Sequence, residues 1–169
     1  MRKEIFSKKI LVYLAFGAIF FLFFREKFIF FLLCFTAGIL KYIRMVSNLP
    51  AAFEPVFFFS IIITKTYGFS YTVFFILFPN FLPEVFSGRL SHFSFTWILQ
   101  MLLYNILALF LNFNIITLGT ILLIFDVFFS GAIHILGKDK PGFAVVYLSF
   151  LIINFIYFTL FGNFFLQII

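Results

Sequence analysis

The chain has 169 residues, of which 64% are hydrophobic and 11% charged, and its mean hydropathy is +1.20. A soluble domain carries roughly 25% charged residues, so there is too little polar surface to cover a water-exposed globule, and lipid has to be the solvent. The net charge of +6 comes from basic residues at the ends of apolar runs, where they set register and topology, which argues against nucleic acid as a partner.

Residues 1–9 hold Arg2, Lys3, Lys8 and Lys9 ahead of an apolar run over 10–24. A signal peptide begins in the same way. The lack of an A-x-A-like site and the Arg25-Glu26-Lys27 that follows favour an uncleaved first helix. A second run covers 28–42 and ends at Lys41 and Arg44. Three charges at mid-bilayer would cost several kcal/mol, so a helical hairpin turning at Arg25-Glu26-Lys27 is expected. Residues 45–55 break the pattern with Asn48, Pro50 and Pro55, and Glu54-Pro55 reads as the entry to a third helix. That helix runs over 56–66 and stops at Tyr67-Gly68. The fourth, 71–86, contains Pro79 and Pro83, which predict a kink or a break. Discontinuous helices of this kind line cavities, because freed backbone groups need partners that lipid cannot give.

A fifth helix is expected over 92–111, closed by Asn112-Phe113-Asn114, and a sixth over 115–136, stopped by the loop Gly137-Lys138-Asp139-Lys140-Pro141-Gly142. A seventh fills 143–169. With seven alternating crossings and the N-terminus inside, nine basic residues fall inside and three outside, as the positive-inside rule requires. The 34 phenylalanines stand in for leucine on lipid-facing surfaces, with aromatic stacking sites as the alternative. The lone Cys34 permits neither a disulfide framework nor a metal–thiolate site and is expected to be a packing residue.

Several polar groups lie where lipid would not tolerate them. Asp126, mid-way along the sixth helix, shares one side of it with Ser130 and His134. Such an acid is part of a proton or cation pathway, part of a ligand-contacting stripe, or a hydrogen-bonded tie between helices that burial can keep protonated. Glu54 and Lys65 share a helix face but lie ~16 Å apart along the axis, too far to pair, and Lys65 is expected to snorkel. Glu84 and Arg89 flank Ser87-Gly88, where they form either a salt bridge across the turn or a polar patch on a cavity. Gln100, Tyr104, Asn105 and Asn154 add hydrogen-bonding groups, for interhelical bonds or for a small-molecule pocket shared with Asp126. No H-E-x-x-H, G-x-S-x-G or GxxxxGK[ST] motif occurs, so neither enzymatic activity nor a metal or other cofactor is expected.

The order Arg44, Leu49-Pro50, Glu54-Pro55-Val56, Tyr67-Gly68, Ser87-Gly88-Arg89 and Thr96-Trp97 resembles small archaeal and bacterial membrane proteins similar to the substrate-binding S component of energy-coupling factor (ECF) transporters. The resemblance covers about residues 40–110. It implies an all-α polytopic bundle in a single integral membrane domain, with an S-component-like core of six helices over about 28–169 and one extra N-terminal helix. It also implies that residues 45–54 form the loop that caps the substrate, and that Ala37-Gly38 hints at the small-residue motif that docks a transmembrane coupling subunit. The expected function is binding of a small vitamin-like or other micronutrient molecule, without an ATPase of its own. Partners would be membrane lipid, the coupling subunit and ATPase subunits. Glu54, Glu84, Arg89 and Asp126 are the expected substrate-binding residues, with Asn105 and Asn154 as further hydrogen-bonding candidates. The rival expectation is an MreD-like, non-enzymatic membrane scaffold of a cell-envelope assembly, in which the polar groups spread over a protein-facing surface instead of converging on one cavity.

Overall fold

The computed structural model describes the backbone of residues 2–47, 55–137 and 143–169, and side chains at 17, 24–47, 55–91, 93–131 and 147–169. The chain divides into two units, Met1–Leu32 and Leu33–Ile169. The first unit is the N-terminal part of α1 (Arg2–Ser47), with Phe24, Phe28 and Phe31 exposed. One helix passes through Arg25-Glu26-Lys27 without a turn, so the expected hairpin does not form. Arg, Glu and Lys are good helix formers, and residues 18–37 contain no glycine, proline or asparagine to interrupt them. The three charges thus lie within a continuous helix, between the apolar run over 10–24 and the span Phe24–Ser47 found among the described residues. The seven-crossing scheme and its nine-to-three division of basic residues lose their basis with the hairpin.

The second unit is a bundle centred on α2 (Val56–Tyr67), whose residues from Val56 to Thr64 are all buried. An all-round apolar helix buries every face, and α2 packs against α3, α5, α6 and α7. Its entry is set by Pro55, whose carbonyl accepts the first helical bond from Phe59 N at 2.8 Å. Its exit is Gly68 at φ +86°, a backbone geometry that favours glycine, and the chain turns there directly into α3.

Phe69–Phe86 is one apolar stretch built in three parts: α3 (Phe69–Phe75), a π-helical turn (Ile76–Phe81) and α4 (Leu82–Phe86). Pro79 lies within the π turn. A proline lacks an N–H and crowds the preceding turn, and the wider π geometry accommodates both without severing the helix. The expected break is therefore a local unwinding that carries Pro79 and Asn80 into the interior. α4 ends in a Schellman motif: Gly88 N donates to Val85 O at 3.1 Å and Arg89 N to Glu84 O at 3.0 Å, with Gly88 at φ +66°.

α5 (His92–Phe110) starts from a capping box between Ser91 and Ser94. Asn114 caps α6 (Ile115–Gly137), its Oδ1 accepting from Thr117 N at 2.8 Å. α7 (Phe143–Ile168) lies along α6. The Phe158 ring covers Gly119, where an added Cβ would come within 2.4 Å of it, and Ile115 packs on Gly162. Small residues allow this close approach. Phe57 and Phe58 of α2 meet the Phe158 ring edge-on.

Outward-facing side chains are large and apolar: Phe86, Phe110 and Phe128 are 76%, 80% and 71% exposed. Among the described residues, Phe24–Ser47, Phe69–Phe86, Phe93–Phe110 and Tyr147–Ile168 are each long and apolar enough to cross a bilayer. The protein is an all-α, multi-pass integral membrane protein with lipid as the medium around it.

Candidate functional site

α5 is the helix on which the buried polar groups meet. Trp97, Gln100, Tyr104 and Asn105 recur at helical spacing along its inner stripe, and they meet three separate groups of partners.

At the Trp97 level, Lys41 from the end of α1 is buried, with its side chain 2% exposed. Its ammonium forms an ion pair with Glu84 Oε1 at 2.6 Å, donates to Asn80 Oδ1, and lies 5.1 Å from the centroid of the Trp97 ring. The approach of α1 is allowed by its small residues, with Ala37 fully buried and Gly38 against Pro79. These two residues are thus used inside the bundle, not on a free surface for docking another subunit. One turn beyond Lys41, Met45 Sδ accepts from Ser87 Oγ at 3.3 Å. Two polar atoms of this group, Glu84 Oε2 and Asn80 Nδ2, are buried without a hydrogen-bond partner. Such atoms carry most of the desolvation cost of burial. A group that donates to the carboxylate oxygen and accepts from the amide nitrogen would complete the site.

At the Gln100 and Tyr104 level, Asp126 of α6 is held on all sides. Its Oδ1 accepts from Gln100 Nε2 at 2.9 Å, Tyr104 Oη at 3.1 Å and Ser130 Oγ at 3.2 Å. Its Oδ2 accepts from Tyr147 Oη of α7 at 2.5 Å. The expected Asp126–Ser130 stripe is present, while the His134 side chain lies outside the described residues. At the Asn105 level, Thr64 Oγ1 donates to Asn105 Oδ1 at 2.6 Å and lies 2.7 Å from Thr72 Oγ1. Asn105 Nδ2 donates to Ser60 Oγ at 3.1 Å and Met101 O at 2.7 Å. This cluster ties α2, α3 and α5 through uncharged groups.

The expected site residues therefore separate. Glu84 is in the Lys41 group, Asp126 in the α5–α6–α7 group and Asn105 in the threonine group. Asn154 is fully buried on α7, its Nδ2 bonded to Phe150 O at 3.0 Å and its Oδ1 without a partner. Arg89 is exposed, and the Glu84 carboxylate is taken by Lys41, so no salt bridge spans the Ser87-Gly88 turn. Glu54 lies outside the described residues. Lys65 donates to Leu111 O at the end of α5 at 2.9 Å, which is a helix cap in place of the expected snorkel. Lys41 and Trp97 were not among the residues expected at the site. The signal for Lys41 was available, since it lies four residues after Ala37 and three after Gly38, on the face that small residues open to a neighbour.

Comparison of the chain with protein-family models, with curated proteins and with solved structures yields no match.

Proposed function

We propose that this protein is the small-molecule-binding membrane subunit of a transporter, with Lys41, Asn80, Glu84 and Trp97 as its recognition group. The observation that carries the reading is the pair of buried, unpartnered atoms, Glu84 Oε2 and Asn80 Nδ2, beside a π turn. Buried polar groups in native proteins are satisfied, and π turns within helices recur at functional sites. A solute with an adjacent donor and acceptor supplies the missing bonds, and the Trp97 ring offers it an apolar wall. The ion pair holds the carboxylate in place before the solute arrives. No nucleotide-binding motif accompanies the site, so in this reading a coupling subunit and ATPase subunits energise transport. Six helical segments from Leu33 onward, among the described residues, support an S-component-like arrangement.

Native mass spectrometry of the protein purified in mild detergent from its own membrane tests the reading. A stoichiometric small ligand that is retained by Arg89→Ala and lost from Glu84→Gln supports it and gives the mass of the solute. A ligand-free protein that carries cell-envelope proteins instead supports the MreD-like scaffold and overturns the transport reading.

A further inference from the structure

The Asp126 cluster poses a different problem from the Lys41 group, and its solution does not depend on the transport reading. Asp126 is 5% exposed. Facing it are Gln100 and Tyr104 from α5, Tyr147 from α7 and Ser130 from its own helix. Among the described residues, no Lys, Arg or His is in contact with its carboxylate. His134 stands two turns further along α6, ~12 Å away on the axis. The nearest buried cation, Lys41, is already paired with Glu84. An ionised Asp126 would therefore place one negative charge without a countercharge inside a bundle surrounded by lipid, which is costly even with four donors to the carboxylate.

The geometry around Gln100 points the same way. Its Nε2 lies 2.5 Å from Tyr104 Oη, 2.9 Å from Asp126 Oδ1 and 2.9 Å from Ser130 Oγ. A side-chain amide nitrogen has two hydrogens, so three oxygens compete for two donors. The oxygens converge on a spot more electron-rich than a neutral amide can satisfy. Tyr147 Oη adds a further contact at Asp126 Oδ2, so five oxygens from three helices gather about one carboxylate whose formal charge is −1 when ionised. Hard monovalent cations take oxygen ligands of this kind, and a single positive charge makes the site neutral, whereas a divalent ion would overshoot it.

We infer that the Asp126 cluster, formed by Asp126, Tyr104, Ser130, Tyr147 and the Gln100 amide, binds one monovalent cation, either Na⁺ or a proton held on the carboxylate. The cluster links α5, α6 and α7, so occupancy changes how tightly these three helices are tied. In the purified protein, the cation replaces the missing countercharge.

The test is thermal unfolding of the full chain in mild detergent, with NaCl exchanged for choline chloride at constant ionic strength, together with the infrared carboxyl band at neutral pH. Binding of Na⁺ gives a saturable rise in Tm with NaCl in the wild type. Binding of a proton gives no sodium response but a protonated-carboxyl band. Asp126→Asn, which keeps an acceptor for the tyrosines and the serine but removes the charge, is expected to abolish whichever signal is seen. Gln100→Lys, which places an ammonium among the same oxygens, is expected to do likewise and covers the case in which Asp126→Asn fails to fold. A wild type with neither a sodium response nor a protonated carboxyl overturns the inference. So does a signal that survives in a folded Asp126→Asn or Gln100→Lys protein.

Discussion

The two buried charged regions of this bundle are built on opposite deficits. At Lys41 and Glu84 the charges cancel, but two polar atoms go without hydrogen bonds. At Asp126 the carboxylate has four donors, but no described cation cancels its charge. An interior that lacks water must be closed in both respects. A neutral group with a donor and an acceptor closes the first region, and a bare positive charge closes the second. One helix, α5, borders both, with Trp97 at one and Gln100 and Tyr104 at the other. A buried polar residue in a membrane bundle is read better from what it still lacks than from its type.

The largest effect is expected at the ion pair. Lys41→Met leaves Glu84 buried beside Asn80 without its cation, and loss of one partner of a buried pair costs ~3–5 kcal/mol. The expected result is a large fall in unfolding temperature in detergent. Replacing both partners, Lys41→Met with Glu84→Leu, is expected to recover most of that loss, because an apolar pair of similar volume carries no desolvation cost. A double variant as unstable as the single one would show that the pair is not the element being broken. Next in size is Tyr147→Phe, which removes the donor to Asp126 Oδ2. A hydrogen bond to a charged group contributes about 1.5–3 kcal/mol, so a loss in that range is expected from the same unfolding measurement. A loss near zero would mean that Asp126 already carries a proton and needs the tyrosine less, which sharpens the cation inference towards its proton arm.

The uncharged region supplies the control. Asn105→Ala removes the links from α5 to Thr64 and Ser60. Interhelical hydrogen bonds of this kind measure ~0.6 kcal/mol on average, with ~1.7 as the upper end. A smaller effect than at Tyr147 is expected, read in the same unfolding assay. Equal effects would argue that the charge of Asp126 adds nothing to its network.

Much of the fold was legible from punctuation. Gly68, the Ser87-Gly88 turn and Asn112-Phe113-Asn114 each end a helix within one or two residues of where they were expected, because glycine at positive φ and asparagine caps act locally. The hairpin at Arg25-Glu26-Lys27 was misjudged because charge was allowed to outweigh helix propensity. At Pro79 the sequence indicated a disturbance, but a broken helix and one widened turn have the same local sequence, and the structure shows the widened turn. Of the site, Asp126 was legible because an acid in an apolar run needs a reason. Lys41 was hidden by its place at the end of a run, where a lysine that snorkels and one that turns inward have the same sequence context. Which of the two occurs is decided by Glu84, 43 positions later, and no local pattern links them.

Arg89 gives the smallest expected effect and the cleanest separation of backbone from side chain. The sequence placed it in the site with Glu84, across a turn that looks made for a salt bridge. In the structure its amide N–H closes the Schellman motif on the Glu84 carbonyl, while the guanidinium points outward and the carboxylate goes to Lys41. Any residue other than proline supplies that amide. Arg89→Ala is therefore expected to change stability by no more than ~0.5 kcal/mol, as for surface substitutions generally, and to leave any bound solute in place. Gly88→Val, one position earlier, forces a β-branched residue into the left-handed region and should be far more damaging in the same unfolding assay. If Arg89→Ala instead lost the solute while the fold survived, the guanidinium would have to reach the ligand. The recognition group would then extend from Glu84 to the exposed end of α4.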